Sequence, residues 1–418
     1  MKELKEDWQE VRLGDLGEIV TGNTPPTKNT EYFGNDYNFV TPSDYKNLNK
    51  YISHTERGIS KLGENKFKNK MLPPNSIMVT CIGSDMGRIL INKNRVLTNQ
   101  QINSIIVNPD KYFYDFIYYM LVNNSSIIKA SVSGTAVPIL NKSDFSNLEF
   151  KIPNLEKQKK IASILSSLDD KIELNNRMNK ILEETAQTIF KEWFINFNFP
   201  NEEGKPYKKS GGKMIESELG EIPEGWEVGI IKDISKEVIC GKTPPTKDDK
   251  NYGNYMPFIT IPDMHNNTYI IKTERYLSDK GVNTQVNKTI PENSICVSCI
   301  ATVGLVSLTS KKSQTNQQIN SIIPKDNISS YWVYFYMKNI SNIIINYASG
   351  GTTTLNLNKS LFEKINIIIP EISLLIKFNN SVKSIFDTIK LNQIENQKLA
   401  GIRDSILPKL MSGEIRIK

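Results

Sequence analysis

The segment "CGKT" at 240–243 looks like the end of a phosphate-binding loop. Such a loop also needs a glycine at position 236, where the chain has Lys236, and a helix that follows the threonine. Here Pro244 and Pro245 follow instead and favour an extended turn, as two prolines do in the matching segment "GNTPPTK" at 22–28. We interpret both segments as one structural turn that occurs twice.

The four cysteines could indicate a zinc or redox site, because two of them form the sequence "CVSC". A structural zinc site needs four ligands and the chain has no second cysteine pair, so we predict no metal site and small buried cysteines. The cysteines are Cys81, Cys240, Cys296 and Cys299. The histidines, His54 and His265, lie far apart in sequence, which argues against histidine-dependent catalysis.

Internal repetition is the strongest pattern in the chain. "PNSIMVTCI" at 74–82 corresponds to "ENSICVSCI" at 292–300, and "TNQQINSII" occurs at both 98–106 and 315–323. The offset between matching residues stays between 217 and 219 along most of the chain. The sequence therefore predicts a tandem duplication of one module, with short strands and turns in each copy.

An aromatic segment follows the strands in each copy, "YFYDFIYYML" in the first and "YWVYFYM" in the second. Stacking on nucleic-acid bases is one interpretation of these side chains. We favour a buried helix in each copy, because such a dense apolar run is more typical of core packing.

Each copy then continues into a long helix whose seam residues are spaced alternately four and three apart, as in a coiled coil. The repeated asparagines in these seams indicate pairing, because a polar residue in an apolar seam specifies register and partner. In an antiparallel pair the asparagines would meet near the middle. Alternatively, they face solvent and Met178 and Ile181 complete the seam. The predicted pairing residues are Leu168, Ile172, Asn175, Asn179 and Leu182 in the first helix and Ile385, Ile389, Asn392, Asn396 and Leu399 in the second.

These patterns predict an α/β (α+β) tandem duplication, with two globular domains separated by two long helices that form an antiparallel, pseudo-twofold symmetric coiled-coil spacer. A helix of about 40 residues is about 60 Å long at 1.5 Å per residue. Two domains held apart in this way could read DNA sites about a helical turn or more apart. We expect the first globular domain at 1–153, the first helix at 154–199, a linker and second globular domain at 200–370, and the second helix with a C-terminal tail at 371–418.

Composition narrows the class of protein without deciding the function. The 418 residues are 39% hydrophobic and 23% charged, which is typical of a globular protein. No apolar run reaches membrane-spanning length, and the charged start "MKELKEDWQE" lacks the apolar core of a secretory signal, so we expect a cytoplasmic protein without a membrane partner. The net charge of +7 favours a polyanionic partner.

No candidate catalytic cluster is present in both copies. Acidic residues at 109–110 and 149–151 could form a nuclease-like cluster, but the second copy has "DN" at 326–327 and "NII" at 366–368. The chain also lacks the Asn-Pro-Pro-aromatic tetrad of adenine methyltransferases and a Gly-rich cofactor loop after a strand. We therefore predict a recognition and assembly protein that is not an enzyme.

Several segments together resemble the DNA-specificity subunit of type I restriction-modification systems. They are "SELGEIPEGWEV" at 217–228, "TGNTPPT" with its copy "CGKTPPT", the two "TNQQI" segments, and the helix ends "IFKEWF" and "LPKLMSGEI". The resemblance covers essentially the whole chain, including the order of these segments and the duplication. It implies that each globular half is a target-recognition domain that reads one half of a bipartite sequence in double-stranded DNA.

The same resemblance implies partner subunits. The paired helices would set the spacing between half-sites and dock two modification subunits, which bind S-adenosylmethionine and methylate adenine. Restriction subunits that use ATP and Mg²⁺ would join the assembly, so this chain itself is expected to bind no cofactor. The turn would then occur twice because two versions of one domain read two half-sites.

Candidate DNA contacts come from turn-like segments that carry basic, amide, hydroxyl or aromatic side chains. The alternative for each is an ordinary solvated loop residue. The identical "TNQQI" segments are expected to be structural, because residues that distinguish two half-sites should differ between copies. The predicted contacts are Lys28, Tyr45, Lys46, Arg88 and Thr135 in the first copy and Lys247, His265, Asn266, Thr302 and Thr352 in the second.

A rival hypothesis from another functional class is a pseudo-symmetric scaffold. In that case the two globular domains would bind proteins, with the helices as a spacer between them. DNA binding that weakens with salt would separate the two hypotheses, because each phosphate contact releases counterions.

Overall fold

A computed structural model describes residues 8–46, 50–83, 85–130, 139–349, 355–415 and 417. The chain divides into two compact units, Met1–Ile172 with Lys398–Lys418 as unit 1 and Glu173–Gln397 as unit 2. Each unit contains one globular copy together with parts of both long helices. Among the described residues, no helix is long and apolar enough to cross a membrane.

The first copy combines short strands, short helices and one long helix. Its strands are β1 (Gln9–Arg12), β2 (Gly17–Thr21), β3 (Phe33–Val40), β4 (Tyr51–Ile52), β5 (Arg57–Ile59), β6 (Ile77–Thr80), β7 (Ile89–Asn92), β8 (Val96–Thr98), β9 (Ile102–Val107) and β10 (Glu149–Ile152). Its α-helices are α1 (Lys61–Lys66), α2 (Tyr114–Asn123), α3 (Ser125–Ala130), α4 (Lys142–Ser146) and α5 (Leu155–Phe194). Its 3-10 helices are Leu13–Leu16, Thr30–Tyr32, Pro42–Tyr45 and Lys68–Lys70.

The linker and the second copy follow the same plan. Their strands are β11 (Met214–Ser217), β12 (Gly220–Pro223), β13 (Glu227–Ile230), β14 (Ser235–Cys240), β15 (Tyr252–Ile259), β16 (Tyr269–Ile270), β17 (Arg275–Leu277), β18 (Thr289–Ile290), β19 (Ile295–Ser298), β20 (Val306–Thr309), β21 (Ser313–Thr315), β22 (Ile319–Pro324) and β23 (Asn366–Ile369). The α-helices are α6 (Ile231–Ile234), α7 (Ile261–Met264), α8 (Asp279–Asn283), α9 (Ser330–Asn339), α10 (Ser341–Ala348), α11 (Lys359–Glu363) and α12 (Ile372–Met411). The 3-10 helices are Lys208–Ser210, Asp249–Asn251 and Val286–Lys288.

The two copies share one sheet topology, which confirms the predicted duplication. A five-stranded sheet has the order β2-β9-β6-β7-β4 in the first copy and β14-β22-β19-β20-β16 in the second. A smaller sheet has the order β5-β3-β8, and its counterpart β17-β15-β21 has β18 as an additional edge strand. Antiparallel pairs β1-β10 and β13-β23 join the start of each copy to the strand that precedes its long helix.

The central strand β6 is apolar on both faces because the five-stranded sheet is covered on both sides. Successive side chains of a strand point to opposite faces. Ile77 and Val79 accordingly join the large core that contains α2, whereas Met78 joins a smaller core with Val40 and Leu72. The aromatic helices α2 and α9 are buried from residue 115 to 121 and from 331 to 337, which confirms that these segments are core helices.

The long helices α5 and α12 span 40 residues each, the length predicted from the sequence. The first turns of each helix pack against the globular copy that precedes it. Ile161 and Leu165 of α5 lie in the core of unit 1, and Phe378 and Val382 of α12 lie in the core of unit 2. The apolar side chains near the helix starts are therefore core residues of the globular domains.

The last turns of each helix complete the core of the other copy. Phe190 and Phe194 near the end of α5 are buried in unit 2, where the Phe194 ring lies 5.1 Å from that of Phe378. Leu407 and Leu410 near the end of α12 are buried in unit 1. Each globular core therefore contains side chains from both long helices.

A buried polar network joins α5 and α12 to the globular part of unit 1. Asp169, which is 3% exposed, accepts hydrogen bonds from Tyr119 Oη at 2.5 Å and Arg403 Nη1 at 2.5 Å. Burial, reinforced by the charge of Asp169, raises the pKa of Tyr119, so its hydroxyl remains a donor. Beside it, Lys50 Nζ lies 2.8 Å from Asp115 Oδ1 and donates to Tyr119 Oη at 3.3 Å. This network neutralises charges that would otherwise be costly to bury.

The corresponding helix positions in unit 2 are apolar. At an offset of 217, Asp169 corresponds to Phe386 and Arg403 to Ala186, and both counterparts are buried. The ring of Phe386 stacks on Tyr331 with centroids 4.2 Å apart and planes 12° apart. The same backbone plan is therefore stabilised by an ion-pair network in one copy and by aromatic packing in the other.

A second polar group in unit 2 centres on Glu183 of α5. Its carboxylate accepts hydrogen bonds from Tyr334 Oη at 2.7 Å, Lys338 Nζ at 2.5 Å and Thr268 Oγ1 at 2.7 Å. Burial alone would raise the pKa of Glu183, but these partners outweigh it and the pKa lies below its ordinary value. The charged carboxylate therefore stabilises the contact between α5 and this globular domain.

Three of the four cysteines are buried, as predicted. Burial raises the pKa of Cys81 to about 11 and the pKa values of Cys296 and Cys299 to about 12. Cys240 is half-buried, and its Sγ lies 3.7 Å from the Gln317 carbonyl oxygen. Within the described ranges, no group of three or more His, Cys, Asp or Glu side chains is placed to hold a metal ion.

We expect Arg403→Ala to destabilise the protein by about 2–4 kcal/mol, because it leaves the buried Asp169 carboxylate without its cation. Arg403→Ala combined with Asp169→Asn should be less damaging than Arg403→Ala alone, since no buried charge remains unpaired. Arg177→Ala on the exposed face of α5 is the matched control. Urea unfolding measures all three, and equal losses in the single and double variants would contradict a role for the ion pair.

We expect Glu183→Gln to reduce the pH dependence of stability in acid. The folded pKa lies below the unfolded value of about 4.3, so the stabilisation is present above that value and is lost as pH falls through the folded pKa. Between about pH 5 and pH 3, wild type should therefore lose more stability than Glu183→Gln. Thermal melts at several pH values measure this, with Glu184→Gln as the exposed control. Parallel pH profiles for wild type and Glu183→Gln would exclude the proposed role.

Candidate nucleic-acid interface

The loops that carry the predicted DNA contacts of the first copy leave one edge of the five-stranded sheet. Strands β2 and β6 end at this edge, and β7 and β9 begin there. The loops at 22–29, 81–83 with 85–88, and 99–101 therefore lie side by side. β3 ends next to β8 in a parallel pair, and Asn99 N donates to Val40 O at 3.0 Å, which brings the segment after β3 to the same edge.

The second copy assembles the same edge from equivalent strands. β14 and β19 end there, and β20 and β22 begin there. The loops at 241–248, 299–305 and 316–318 are thereby adjacent. Asn316 N donates to Ile259 O at 3.0 Å, so the segment after β15 joins them. We call this loop cluster of each copy its edge loops.

The repeated "TPPT" and "TNQQ" turns pack against each other in both copies. Asn23 N donates to Thr98 O at 2.8 Å, and Lys242 N donates to Thr315 O at 3.0 Å. Gly22 and Gly241 permit this approach, because a β-carbon there would lie 2.1 and 2.2 Å from the carbonyl oxygens of the facing turns. The structure confirms that "CGKT" is a turn, since β14 ends at Cys240 and no helix follows directly.

Side chains also join these turns in matching ways. Thr24 Oγ1 donates to Gln100 Oε1 at 2.6 Å in the first copy, and Thr243 Oγ1 donates to Gln317 Oε1 at 2.6 Å in the second. Within the "TNQQ" turn, Gln101 N donates to Asn99 Oδ1 at 3.2 Å. The identical "TNQQI" segments therefore have a structural role, as their identity suggested.

The structure exposes most of the predicted contacts of the first copy. Lys28, Lys46 and Arg88 are exposed on the edge loops. Arg88 Nη2 lies 2.8 Å from Asp85 Oδ1, so part of its charge is compensated. Thr135 lies outside the described residues.

Tyr45 is a correction to the prediction of an exposed turn residue. It lies in the 3-10 helix Pro42–Tyr45 with 3% of its surface exposed and joins the core with Val40 and Ile52. Its counterpart in the second copy is Met264, which is 2% exposed. The position is apolar in both copies because the side chain points from the short helix into the core.

Four of the predicted contacts of the second copy are exposed on its edge loops. Lys247 follows the "TPPT" turn, His265 and Asn266 follow α7, and Thr302 lies between β19 and β20. Asn266 has φ of 59°, a left-handed conformation that asparagine tolerates better than most residues. Thr352 lies outside the described residues.

The predicted asparagines meet between α5 and α12 within unit 2. Asn175, which is fully buried, donates to Asn396 Oδ1 at 2.8 Å and to Glu395 Oε2 at 2.7 Å. Asn392 donates to Asn179 Oδ1 at 2.8 Å. Asn179 follows Asn175 along α5, whereas its partner Asn392 precedes Asn396 along α12, so the two segments are antiparallel. Met178 and Ile181, the alternative seam residues, are 40% and 63% exposed.

The apolar pairing residues around the asparagines divide between buried and half-buried positions. Ile172 and Ile389 are 5% and 0% exposed. Leu182 and Ile385 pack at the margin of the unit 2 core. Leu168 and Leu399 are half-buried.

Two matches to the family model of the type I restriction modification DNA specificity domain cover residues 5–184 and 223–403. Together they span most of the chain and coincide with the two copies of the module. The chain belongs to the type I restriction-modification specificity family. A similar protein is the type I restriction enzyme HindI specificity subunit of Haemophilus influenzae, 36% identical, with 98% of this chain and 100% of that protein covered.

Two further similar proteins also match nearly the whole length of this family member. The type I restriction enzyme MjaIX specificity subunit of Methanocaldococcus jannaschii is 32% identical, with 99% of this chain and 95% of that protein covered. The crystal structure of a type I restriction-modification system S subunit from M. genitalium has a TM-score of 0.57 and 16% identity, with 96% of each chain covered. The solved structure supports the fold of this specificity-family chain.

Sequence reasoning missed the Thr–Gln bonds between the turns of this specificity-family chain and the buried network around Lys50. The Thr–Gln bonds could have been predicted, because "TPPT" and "TNQQ" occur together in both copies. Lys50 gave no such signal, because its counterpart Thr268 has different chemistry and a lysine ordinarily indicates surface.

We expect Asn175→Ala to lower the free energy of unfolding by about 1–3 kcal/mol, because Glu395 and Asn396 lose a buried donor. Ile181→Ala is the control that tests the alternative seam, and its exposure predicts a change of about 0.5 kcal/mol or less. Chemical denaturation of the isolated chain measures both. A larger loss for Ile181→Ala than for Asn175→Ala would contradict the asparagine seam.

Proposed function

We propose that this chain is the DNA-specificity subunit of a type I restriction-modification complex and that it supplies recognition, not catalysis. Each globular domain reads one half of a bipartite target in double-stranded DNA through its edge loops. The observation that carries the proposal is the duplication itself: the two copies keep one loop frame and differ in exposed side chains on it, such as Lys46 and His265. Its family membership supports the same function.

The segment after β3 and its counterpart after β15 illustrate a constant frame with variable side chains. Thr41 N donates to Asp44 Oδ2 at 2.7 Å, and Thr260 N donates to Asp263 Oδ2 at 2.8 Å, so both segments begin with the same cap. The residue after each short helix is exposed and differs, lysine at 46 and histidine at 265. Different side chains in equivalent places allow two domains to read different bases.

The paired helices fix the gap between the two half-sites and dock the modification subunits. Leu174 of α5 and Leu391 of α12 occupy equivalent repeat positions and are 45% and 66% exposed. Exposed leucines at repeated positions are suited to bind two copies of one partner, since each copy would meet the same chemistry. We infer two adenine-modifying subunits at these helices and restriction subunits in the complete assembly.

The cofactors of the reaction belong to the partner subunits in this proposal. S-adenosylmethionine is bound by the modification subunits, and ATP and Mg²⁺ by the restriction subunits, while this chain binds none of them. The modification subunit flips the target adenine out of the stack. Because the proposed partner is host DNA, we place the chain in the cytoplasm.

A methylation map tests the proposal. Co-expression of this chain with its modification subunit in a methylation-free host should produce N6-methyladenine in one bipartite motif with a fixed gap. The control omits this chain and should produce no motif. A folded complex that methylates no motif would contradict a specificity function and favour the protein-binding scaffold.

Variants of one globular domain should change only one half of that motif. We expect His265→Ala with Asn266→Gly to relax or alter one half-site, because glycine retains the left-handed backbone while both side chains are lost. Lys46→Ala should affect the opposite half. Sequencing of the methylated DNA measures both variants, and a change in both halves by either one would contradict separate readers.

A further inference from the structure

The two exposed glutamines of the edge loops have the same local geometry in both copies. Gln100 and Gln317 are the second residues after the threonines that end β8 and β21, and both are exposed. Each amide oxygen accepts a hydrogen bond of 2.6 Å from a threonine of the "TPPT" turn. That hydrogen bond fixes the orientation of the amide, so the "TPPT" turn determines where its NH₂ group points.

The structural role of the "TNQQ" turn does not account for the exposed NH₂ groups of these glutamines. Backbone hydrogen bonds already join the two turns, and the buried positions of the "TNQQ" turn belong to Asn99 and Asn316, each 9% exposed. Other exposed side chains on the edge loops differ between the copies, as Lys46 and His265 do, whereas Lys28 and Lys247 are also the same. An exposed side chain with the same identity and the same bond in both copies therefore indicates a shared contact.

A ligand at this site would meet two kinds of hydrogen-bond donor, a neutral amide and a positively charged ammonium group. Among the described residues, the Nε2 groups of Gln100 and Gln317 have no hydrogen-bond partner. Four residues after each threonine, the exposed Lys28 and Lys247 have no partner within the described part of the chain. Amide NH₂ and ammonium groups are donors, and they suit an anionic group that only accepts.

We propose that Gln100 with Lys28, and Gln317 with Lys247, form two equivalent sites that each bind a backbone phosphate of the DNA at one half-site. The inference rests on the proposed DNA-binding function and adds which residues hold the backbone. A phosphate is the same beside every base sequence, so two domains that read different bases can keep one phosphate site. The phosphate contacts position the edge loops, and the variable side chains read the bases.

The glutamine role is tested by Gln100→Glu combined with Gln317→Glu. Glutamate has the same size and still accepts the threonine hydrogen bond, but its oxygen repels phosphate where the NH₂ group attracted it. In the complex with the modification subunit, we expect the Kd for DNA to rise about tenfold or more, equally for target and unrelated duplexes. Thermal melting of the complex should not change.

The lysine role is tested by Lys28→Ala combined with Lys247→Ala. Each phosphate contact contributes about 0.9 to the slope of log K against log salt, so the slope should fall in magnitude by about 1.8. Lys142→Ala combined with Lys359→Ala is the matched control. It removes the same net charge from equivalent positions of the two copies that lie outside the edge loops. The control slope should equal that of wild type.

The outcomes separate this inference from the function on which it rests. If the wild-type complex binds DNA, and the glutamine and lysine variants keep its DNA affinity and its salt slope, the phosphate sites alone would be overturned. A changed methylation motif in the glutamine variant would show base reading and overturn the phosphate assignment. Absence of salt-dependent DNA binding in the wild-type complex would overturn the proposed function and the phosphate sites together.

Discussion

The rest of the structure depends on the burial of both ends of each long helix. The first turns of α5 and α12 pack on the globular copy before them, while their last turns fill the core of the other copy, as Phe190 and Leu407 show. Removing such large apolar side chains from water is the main favourable term in folding. Neither globular core is complete without both helices, and the antiparallel pairing of the helices follows from this requirement.

Between these buried ends, α5 and α12 are held by polar contacts. Asn175 and Asn396 meet in the middle, where an apolar seam could slide by one turn without a large change in energy. Amide hydrogen bonds have narrow geometry, so they favour one register. A fixed register is what a spacer between two reading domains requires, because a shift along the helices would change the gap that the complex recognises.

The two copies have the same topology but do not use the same interactions to join globular domain and helices. Asp169 and Arg403 form an ion pair where Phe386 and Ala186 pack as apolar residues. A duplicated chain contains two similar helices that could each pair with a copy of itself. Placing an ion pair in one unit and an aromatic cluster in the other makes exchange of equivalent segments unfavourable, because charges would then be buried against rings.

In the proposed function, the edge loops separate binding of the DNA backbone from discrimination between bases. Turns that must fit together, with Gly22 and Gly241 in close backbone contact, are the same in both copies. Exposed side chains that are proposed to read bases can differ, as Lys46 and His265 do. The division explains why the parts of the sequence that repeat best are not the parts that distinguish the half-sites.

The sequence by itself determined the duplication, because it follows from spacing that repeats along the chain. It predicted that the asparagines meet in an antiparallel helix pair and left a solvent-facing alternative open, and the contacts of Asn175 and Asn392 decided between them. It also indicated buried aromatic helices from local composition. Only the tertiary structure decided that Tyr45 is buried, that Lys50 is 2% exposed beside Asp115, and that Gln100 is oriented by Thr24. These facts depend on contacts between residues distant in sequence, and no local pattern encodes them. The same reason limited the predicted DNA contacts: exposure is a property of the packed edge, and a sequence shows only the residue types that could lie there.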